Sequence, residues 1–479
     1  MRKYYICLVV GFVSTISAAL AEDGRRPNLL FVAYDDLRPE MGAYGAKEVI
    51  TPNLDKLAAE STRFENAYVN YPLCMPSRSS MLSGIRFDNR NFTEGDSKVL
   101  YETMLTMQST WPAVFHEAGY WTATRGKLYH GHVPKSERKA WDVPGRFYGQ
   151  PEVYRLMDHH QDKVVEQGGV PKDLDILLAM ESGPAALAYL AIDCADNELH
   201  DGEMAEAVVE FLAKERDRKK PFLISAGFTL PHLPWIAPKK YFDMYPVDAG
   251  ELAPVPEGVE RVVHKKDQRP LSSNIWNEGV DDEEARRLKR AYLACTTYAD
   301  AQMGKIIEAL KETGEYENTI IVMWGDHGYH LSEHGLWQKN KDYRVSMRCP
   351  LMIKAPGVKG GQVCERVVQN IDIYPTLLSL AGIEKPEEVV LHGRDLKPLL
   401  ENPNREWKRV AHVSCVDGRK GVISERYRFT EFRWGEDELY DLEADPDEWV
   451  NLAGRPEYAE KVKEFKKEIA KAVWNDKEG

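Results

Sequence analysis

The sequence predicts an α/β fold: a large mixed sheet with helices packed against it, and a smaller α+β unit near the C-terminus. Two observations carry that expectation. Short apolar runs rich in branched and aromatic residues alternate with longer stretches whose apolar residues recur near a 3.6-residue period. After a composition shift at residues 383–389, the pattern changes to closely spaced strand candidates followed by one charged helix.

Taken in order, residues 1–21 read as a secretory signal peptide. Arg2 and Lys3 precede an apolar run at residues 6–16, and Ala19-Leu20-Ala21 offers a small-residue cleavage site before Glu22. The run is short for a bilayer span, and no later segment is apolar enough for one, so an exported, periplasmic or secreted protein without stable membrane insertion is expected. Asn28–Tyr34 (NLLFVAY) reads as a buried strand. Residues 51–60 read as a helix, with Thr51 as N-cap and Pro52 at the first position. Residues 120–124, 221–228 and 319–324 read as further strands. Residues 203–214 and 283–311 read as helices, the second with Tyr292, Tyr298, Met303, Ile306 and Leu310 on its inner face. A helix is expected at 371–380, strands at 410–415, 420–424 and 427–432, and a last helix at 458–473. The polar stretches 141–175 and 238–279 are long for plain connections and suit substrate-binding loops. The expected organisation is a signal peptide at 1–21, a catalytic domain at 22–385 and a smaller C-terminal subdomain at 386–479.

The formal net charge is −13, and the leader carries two cations and no acid, so the rest of the chain is more acidic still. Such a surface argues against nucleic acid as a partner. An anionic ligand would have to be held by a local cluster of cations. Beyond the leader the cysteines are Cys74, Cys194, Cys295, Cys349, Cys364 and Cys415, too sparse for a disulfide framework. One or two bridges are compatible with them, and the sequence does not pair them.

Polar clusters follow four of the strand candidates: Asp35-Asp36, Lys127 with His130, His232, and Asp326-His327. In open α/β sheets ligands bind beyond the carboxyl ends of strands, so parallel neighbours would bring these clusters to one crevice. An isolated Asp-Asp pair reads as a turn or a cap. With Asp326, however, it supplies three carboxylates suited to a hard divalent cation. His327, His330 and His334 invite a zinc reading, but Gly328 and Gly335 argue against a helical zinc site.

Residues 74–84, Cys-Met-Pro-Ser-Arg-Ser-Ser-Met-Leu-Ser-Gly, match C-x-P-S-R-x-x-x-L-[ST]-G, the signature of cysteines that are oxidised to formylglycine. On this segment the chain resembles the formylglycine-dependent sulfatases of the alkaline-phosphatase-like superfamily. Tyr34-Asp35-Asp36-Leu37-Arg38-Pro39, residues 126–130 and residues 326–339 are most similar to the iduronate-2-sulfatase branch. The likeness extends over residues 27–453. It implies a large, mostly parallel sheet sandwiched by helices.

The likeness also implies a metal site made by Asp35, Asp36, Asp326, His327 and residue 74, holding Ca2+. His327 stands where Asn is commoner, and imidazole suits softer ions. Formylglycine hydrates to a geminal diol. One hydroxyl attacks sulfur, and the second allows sulfate to be expelled, which a serine ester could not do. The likeness makes Arg78 and Lys127 partners of that diol, and Lys339, Lys127 and His232 substrate-binding residues, with Lys339 and Lys127 on the sulfate. His130 would be the base for sulfate release, and His232 the acid for the leaving alcohol. Implied partners are a sulfated carbohydrate, either uronate-containing or another polysaccharide or oligosaccharide, and a formylglycine-generating enzyme. The alternatives are a phosphate or phosphonate ester hydrolase of the same superfamily, or a non-catalytic glycan-binding relative with unoxidised Cys74.

Overall fold

β1 (Asn28–Tyr34) is buried along its whole length. Leu30, Val32 and Tyr34 pack into one core and Leu29, Phe31 and Ala33 into another, following the two-residue alternation of a strand. A strand covered on both faces must be apolar throughout, which is why its sequence shows no polar alternation. The computed structural model describes residues 25–87, 97–145, 189–246, 249–257, 281–415, 419–432 and 437–472. The expected signal peptide lies outside these residues, as do large parts of the expected insertions at 141–175 and 238–279.

The central sheet adds β2 (Thr62–Tyr68), β3 (Trp121–Gly126), β5 (Phe222–Gly227), β7 (Thr319–Gly325), β10 (Leu351–Lys354) and β11 (Gln362–Gln369) to β1. Its seven strands run in the order β11-β2-β10-β7-β1-β5-β3. β7, β1, β5 and β3 are parallel neighbours, so the four polar clusters leave one edge of the sheet side by side. β10 is antiparallel to both of its neighbours, which makes the sheet mixed. Two short pairs stand apart from it: β4 (Tyr189–Ile192) with β6 (Trp235–Pro238), and β8 (His330–Leu331) with β9 (Trp337–Gln338).

One face is covered chiefly by the Asp282–Glu312 helix, whose Tyr292, Tyr298, Met303, Ile306 and Leu310 are all fully buried, as its periodicity predicts. Each such side chain contributes about 1.5–3 kcal/mol of burial. The other face holds the helices Cys74–Ser83, Trp111–Glu117 and Ile373–Ala381. The helix expected at 203–214 runs His200–Glu210 and continues as a π turn over Phe211–Glu215.

The Pro52–Ala59 helix corrects one expectation. Thr51 occupies the N-cap position, but its side chain does not cap the helix: its hydroxyl accepts from Gly42 N at 3.0 Å. Asp300 of the long helix takes over, accepting from Asn53 N at 3.1 Å and Leu54 N at 2.7 Å.

Beyond the central sheet lies an antiparallel meander of β12 (Ala411–Ser414), β13 (Lys420–Ile423), β14 (Tyr427–Glu431) and β15 (Glu438–Asp441). The Ala459–Lys471 helix packs on it through Phe465 and Ile469. Its first strand docks on the main body, where Ser414 N donates to Asn70 O at 2.8 Å. Among the described residues no helix is long and apolar enough to cross a membrane.

Candidate active site

Cys74 opens a helix whose ten residues are all buried. The preceding Leu73 is extended, and Pro76 sits in the first turn, where no intrahelical N–H is needed. Gly84 ends the helix at φ +75°, a conformation that favours glycine, and donates to Ser80 O at 2.8 Å. Thus the proline and the glycine of the sequence signature frame a helix that presents residue 74 at its positive end.

The ends of β1 and β7 bring acids to that point. Asp35, Asp36, Asp326 and His327 are each no more than 1% exposed, and Cys74 is 2% exposed. Ligand atoms of Asp35, Asp36, Cys74 and His327 lie within 4.8 Å of one another. Asp326 flanks this group: its Oδ1 accepts from Asp36 N at 3.0 Å and its Oδ2 from Arg78 Nε at 2.9 Å. Asp36 itself is held at φ +60°, a left-handed conformation that Asp tolerates better than most residues. Tyr292 secures it by donating to Asp36 O at 2.8 Å.

Cations surround the acids. Lys127 Nζ donates to Asp35 Oδ2, and Lys339 Nζ donates to Asp36 Oδ1 at 2.5 Å and to Cys74 Sγ at 3.2 Å. Arg78 is fully buried, with its guanidinium committed to Asp326 and to the carbonyls of Lys127 and Leu128. Its NH2 also lies 3.7 Å from Asp35 Oδ1, so it stitches the strand ends together. Burial disfavours the Asp35 carboxylate, but Lys127, His232, Arg78 and Lys339 together hold it well below the usual range. Burial and the neighbouring Asp35 push Asp326 up to about 8. Burial would also lower Lys339, yet Asp36 and the Cys74 sulfur hold it well above an ordinary lysine. Burial and Asp35 raise the Cys74 thiol.

The three histidines differ. His327 Nδ1 donates to Gly328 O at 2.9 Å, which leaves the Nε2 lone pair facing Cys74 Sγ at 3.3 Å and Asp36 Oδ1 at 3.3 Å. Burial and Lys339 lower it to about 4, so it is neutral near pH 7. His232 Nδ1 donates to Leu233 O at 2.5 Å, which turns Nε2 toward Asp36 Oδ2 at 3.9 Å. His130 sits at the exposed rim of the crevice, its N–H donating to Tyr101 OH at 2.9 Å and its ring edge-on to that tyrosine. His330 and His334 serve elsewhere. Both flank Tyr343, and His334 also stacks on Trp449, so the zinc reading of this segment finds no support in their placement.

The donor set fits a hard divalent cation. Asp35 Oδ1 is buried without a hydrogen-bond partner among the described residues. Carboxylates crowd closely enough for one to be driven toward protonation, a cost that a cation would relieve. The His327 lone pair is already aimed into the cluster by the hydrogen bond from Nδ1 to the Gly328 carbonyl.

Three supporting residues had no role in the sequence reading. Ser77 Oγ donates to Asp326 O at 2.5 Å, and Asn370 Nδ2 donates to Ser77 O at 3.0 Å, so Asn370 steadies the helix that carries Cys74. Arg38 NH1 donates to Glu333 Oε1 at 2.7 Å, tying the residues after β1 to the turn that leads to Lys339. Its position two residues past Asp36 was the available signal; Asn370 offered none.

Comparison with known proteins identifies the family. The Sulfatase family model matches residues 27–383, and the model for the C-terminal region of N-sulphoglucosamine sulphohydrolase matches residues 332–475. An arylsulfatase of Clostridium perfringens is 30% identical, over 95% of this chain and 96% of its own. The iduronate 2-sulfatase of Mus musculus is 29% identical, over 75% of this chain and 69% of its own. Among solved structures, a protein in complex with its substrate D-glucosamine-2-N,6-O-disulfate superposes with a TM-score of 0.68 at 24% identity, covering 93% of this chain and 97% of its own. The phosphonate monoester hydrolase of Agrobacterium radiobacter superposes with a TM-score of 0.73 at 21% identity, covering 93% and 95%. The family model spans the Cys74 helix, the acid cluster and the lysines around them, and the chain belongs to the sulfatase family, whose members hydrolyse sulfate esters.

Proposed function

We propose that this sulfatase hydrolyses O-sulfate esters of a carbohydrate, with residue 74 as its nucleophile after oxidation to formylglycine. The observation that carries the reading is Cys74 itself. It lies in a C-x-P-S-R signature at a helix N-terminus, with Lys339 Nζ 3.2 Å and His327 Nε2 3.3 Å from its sulfur. The sulfur marks the position of the oxygen that the oxidised residue would carry. Formylglycine supplies a hydrated aldehyde, whose paired hydroxyls allow both attack and release. Calcium held by Asp35, Asp36, Asp326, His327 and residue 74 supplies Lewis acidity at the sulfate.

The remaining tasks fall to side chains. Lys339 and Lys127 bind sulfate oxygens, exchanging part of their contact with Asp36 and Asp35 for the substrate. Arg78 holds Asp326 and the 127–128 backbone in register. His232 protonates the leaving sugar oxygen through Nε2, and His130 accepts a proton when sulfate departs. The carbohydrate class is supported by the names of two similarities, iduronate 2-sulfatase and N-sulphoglucosamine sulphohydrolase. Export through residues 1–21, maturation by a formylglycine-generating enzyme, and a division into a 22–385 catalytic domain and a 386–479 subdomain complete the proposal. Release of inorganic sulfate from a panel of defined sulfated oligosaccharides tests it; no release from any member would overturn the carbohydrate assignment.

A second reading is favoured by the likeness to the phosphonate monoester hydrolase. Matched aryl sulfate and aryl phosphonate monoesters separate the two. A higher kcat/KM on the sulfate supports the sulfatase reading, and a higher value on the phosphonate replaces it.

A further inference from the structure

Asp201 lies in the first turn of the His200–Glu210 helix and is completely buried. An aspartate at such a position ordinarily serves its own helix, by capping N–H groups or complementing the dipole. This one is turned outward. Its Oδ1 accepts from Thr229 N and its Oδ2 from Leu230 N, both at 2.9 Å, so each oxygen holds one of two successive backbone N–H groups. His200 Nε2 lies 3.2 Å from Oδ1 and confines the carboxylate further.

Thr229 and Leu230 open the turn that carries His232. The last sheet-type bond before it is Phe228 N to Ala33 O at 2.8 Å. Beyond that point Pro231 and Pro234 have no N–H to donate. Within the turn, His232 N donates to Thr229 O at 2.9 Å, Trp235 Nε1 to Pro231 O at 2.7 Å, and His232 Nδ1 to Leu233 O, and at its far end Trp235 pairs with Tyr189 of β4. Internal bonds fix the shape of the turn but not its place relative to the sheet. Asp201 supplies an external anchor where the turn begins. Its own helix is seated independently, with Gly202 N donating to Tyr298 OH of the long helix at 2.8 Å. A Cβ on Gly202 would come within 1.9 Å of Asp196 O, so the first turn of this helix packs closely on the residues before it.

We propose that Asp201 is a positioning residue for the proposed reaction, holding the backbone of the His232 turn so that the imidazole meets the leaving-group oxygen. The inference rests on the reading of His232 as the proton donor. A reacting group misplaced by about 1 Å can lose about 10²-fold in rate. The loss should therefore appear where a proton is needed and vanish where it is not.

The test is the ratio of kcat/KM on a sulfate ester with a poor leaving group to that on an activated aryl sulfate. Any change in the folded or matured fraction scales both values equally and cancels in the ratio, so a partly folded variant still reports. Asp201→Ala, which removes both acceptors, should lower the ratio at least about tenfold, toward the His232→Ala value. Asp201→Asn keeps one acceptor oxygen and should fall between; it carries the test if the alanine variant does not fold. In a His232→Ala background, Asp201→Ala should leave the ratio unchanged. A wild-type ratio in both Asp201 variants, with a lowered ratio in His232→Ala, would overturn the positioning role while leaving the acid role intact. A wild-type ratio in His232→Ala would remove the acid role itself, and the inference with it.

Discussion

Lys339 Nζ lies 3.2 Å from Cys74 Sγ while donating to Asp36 Oδ1 at 2.5 Å. One ammonium thus bridges the nucleophile position and the acid cluster. Lys127 Nζ pairs with Asp35. In an acidic chain, the proposed function makes these two lysines the local cations that an anionic ester requires. A hydrogen bond to a charged group is worth about 1.5–3 kcal/mol, so Lys339→Ala should lower kcat/KM on sulfate esters by about ten- to a hundredfold. Lys339→Arg should recover part of the loss. Steady-state kinetics on one substrate checks both, and an unchanged kcat/KM in Lys339→Ala would exclude contact with the sulfate.

Active protein should carry formylglycine at position 74. Mass spectrometry of the peptide spanning residue 74 should show sulfur lost and oxygen gained. Cys74→Ser should be nearly inactive over many turnovers, because a serine ester lacks the second hydroxyl needed for release. Full activity with an intact thiol would sink the assignment.

The acid cluster should hold a divalent cation, with a readout that does not depend on turnover. A ligand that binds only the folded state adds about 2.7 kcal/mol of stability at a hundredfold excess over its Kd. Calcium added to chelated protein should therefore raise the Tm. Asp326→Asn should shrink that rise, since it removes one of the crowded charges. If Zn2+ alone raised the Tm, the calcium assignment would give way to a softer ion.

Much of this site is legible in the sequence, and the reason is topological. The acid pair, the Lys127–His130 segment, His232 and Asp326-His327 each follow an apolar strand, and parallel strands bring such positions together without any knowledge of side-chain geometry. What stays hidden is of two kinds. Strands at and near the sheet edge, such as β2 with its mixed burial, lack the continuous apolar run that marks β1. Contacts between segments distant in sequence have no local signature at all. Thr51 looks like the cap of its helix, but Asp300 performs that task from about 250 residues away. Arg78 reads from the sequence as a ligand of the reacting group, and its further bonds to Asp326 and to the carbonyls of Lys127 and Leu128 have no local signature.

His130 should act after the ester bond has broken. His130→Ala should therefore show a burst of released alcohol, about equal to the enzyme present, followed by slow turnover on sugar and aryl sulfates alike. Rapid-mixing kinetics with an aryl sulfate reads the burst directly. Equal slowing of the burst and of the later phase would place His130 in substrate binding instead.

The Asp300 cap should leave a signature in stability. Burial raises its carboxyl from the ordinary 3.8 to about 6, even though Asn53 and Leu54 donate to it. The folded state therefore holds this proton more tightly than the unfolded chain does. Between about pH 4 and pH 6 the folded state binds more protons, so the contribution of Asp300 to stability falls as pH rises. It is fully present below pH 4 and lost above the folded value, a swing on the order of 3 kcal/mol at 1.36 kcal/mol per unit. Asp300→Asn cannot titrate and should lack this slope. Urea midpoints measured from pH 4 to pH 7 on both proteins isolate it, because every other titrating group is shared. The wild type should lose stability relative to the variant up to about pH 6 and then run parallel to it. A difference that instead grew in favour of the wild type with rising pH would mean that the helix N–H groups outweigh burial, and that the carboxylate, not the acid, is the stabilised form.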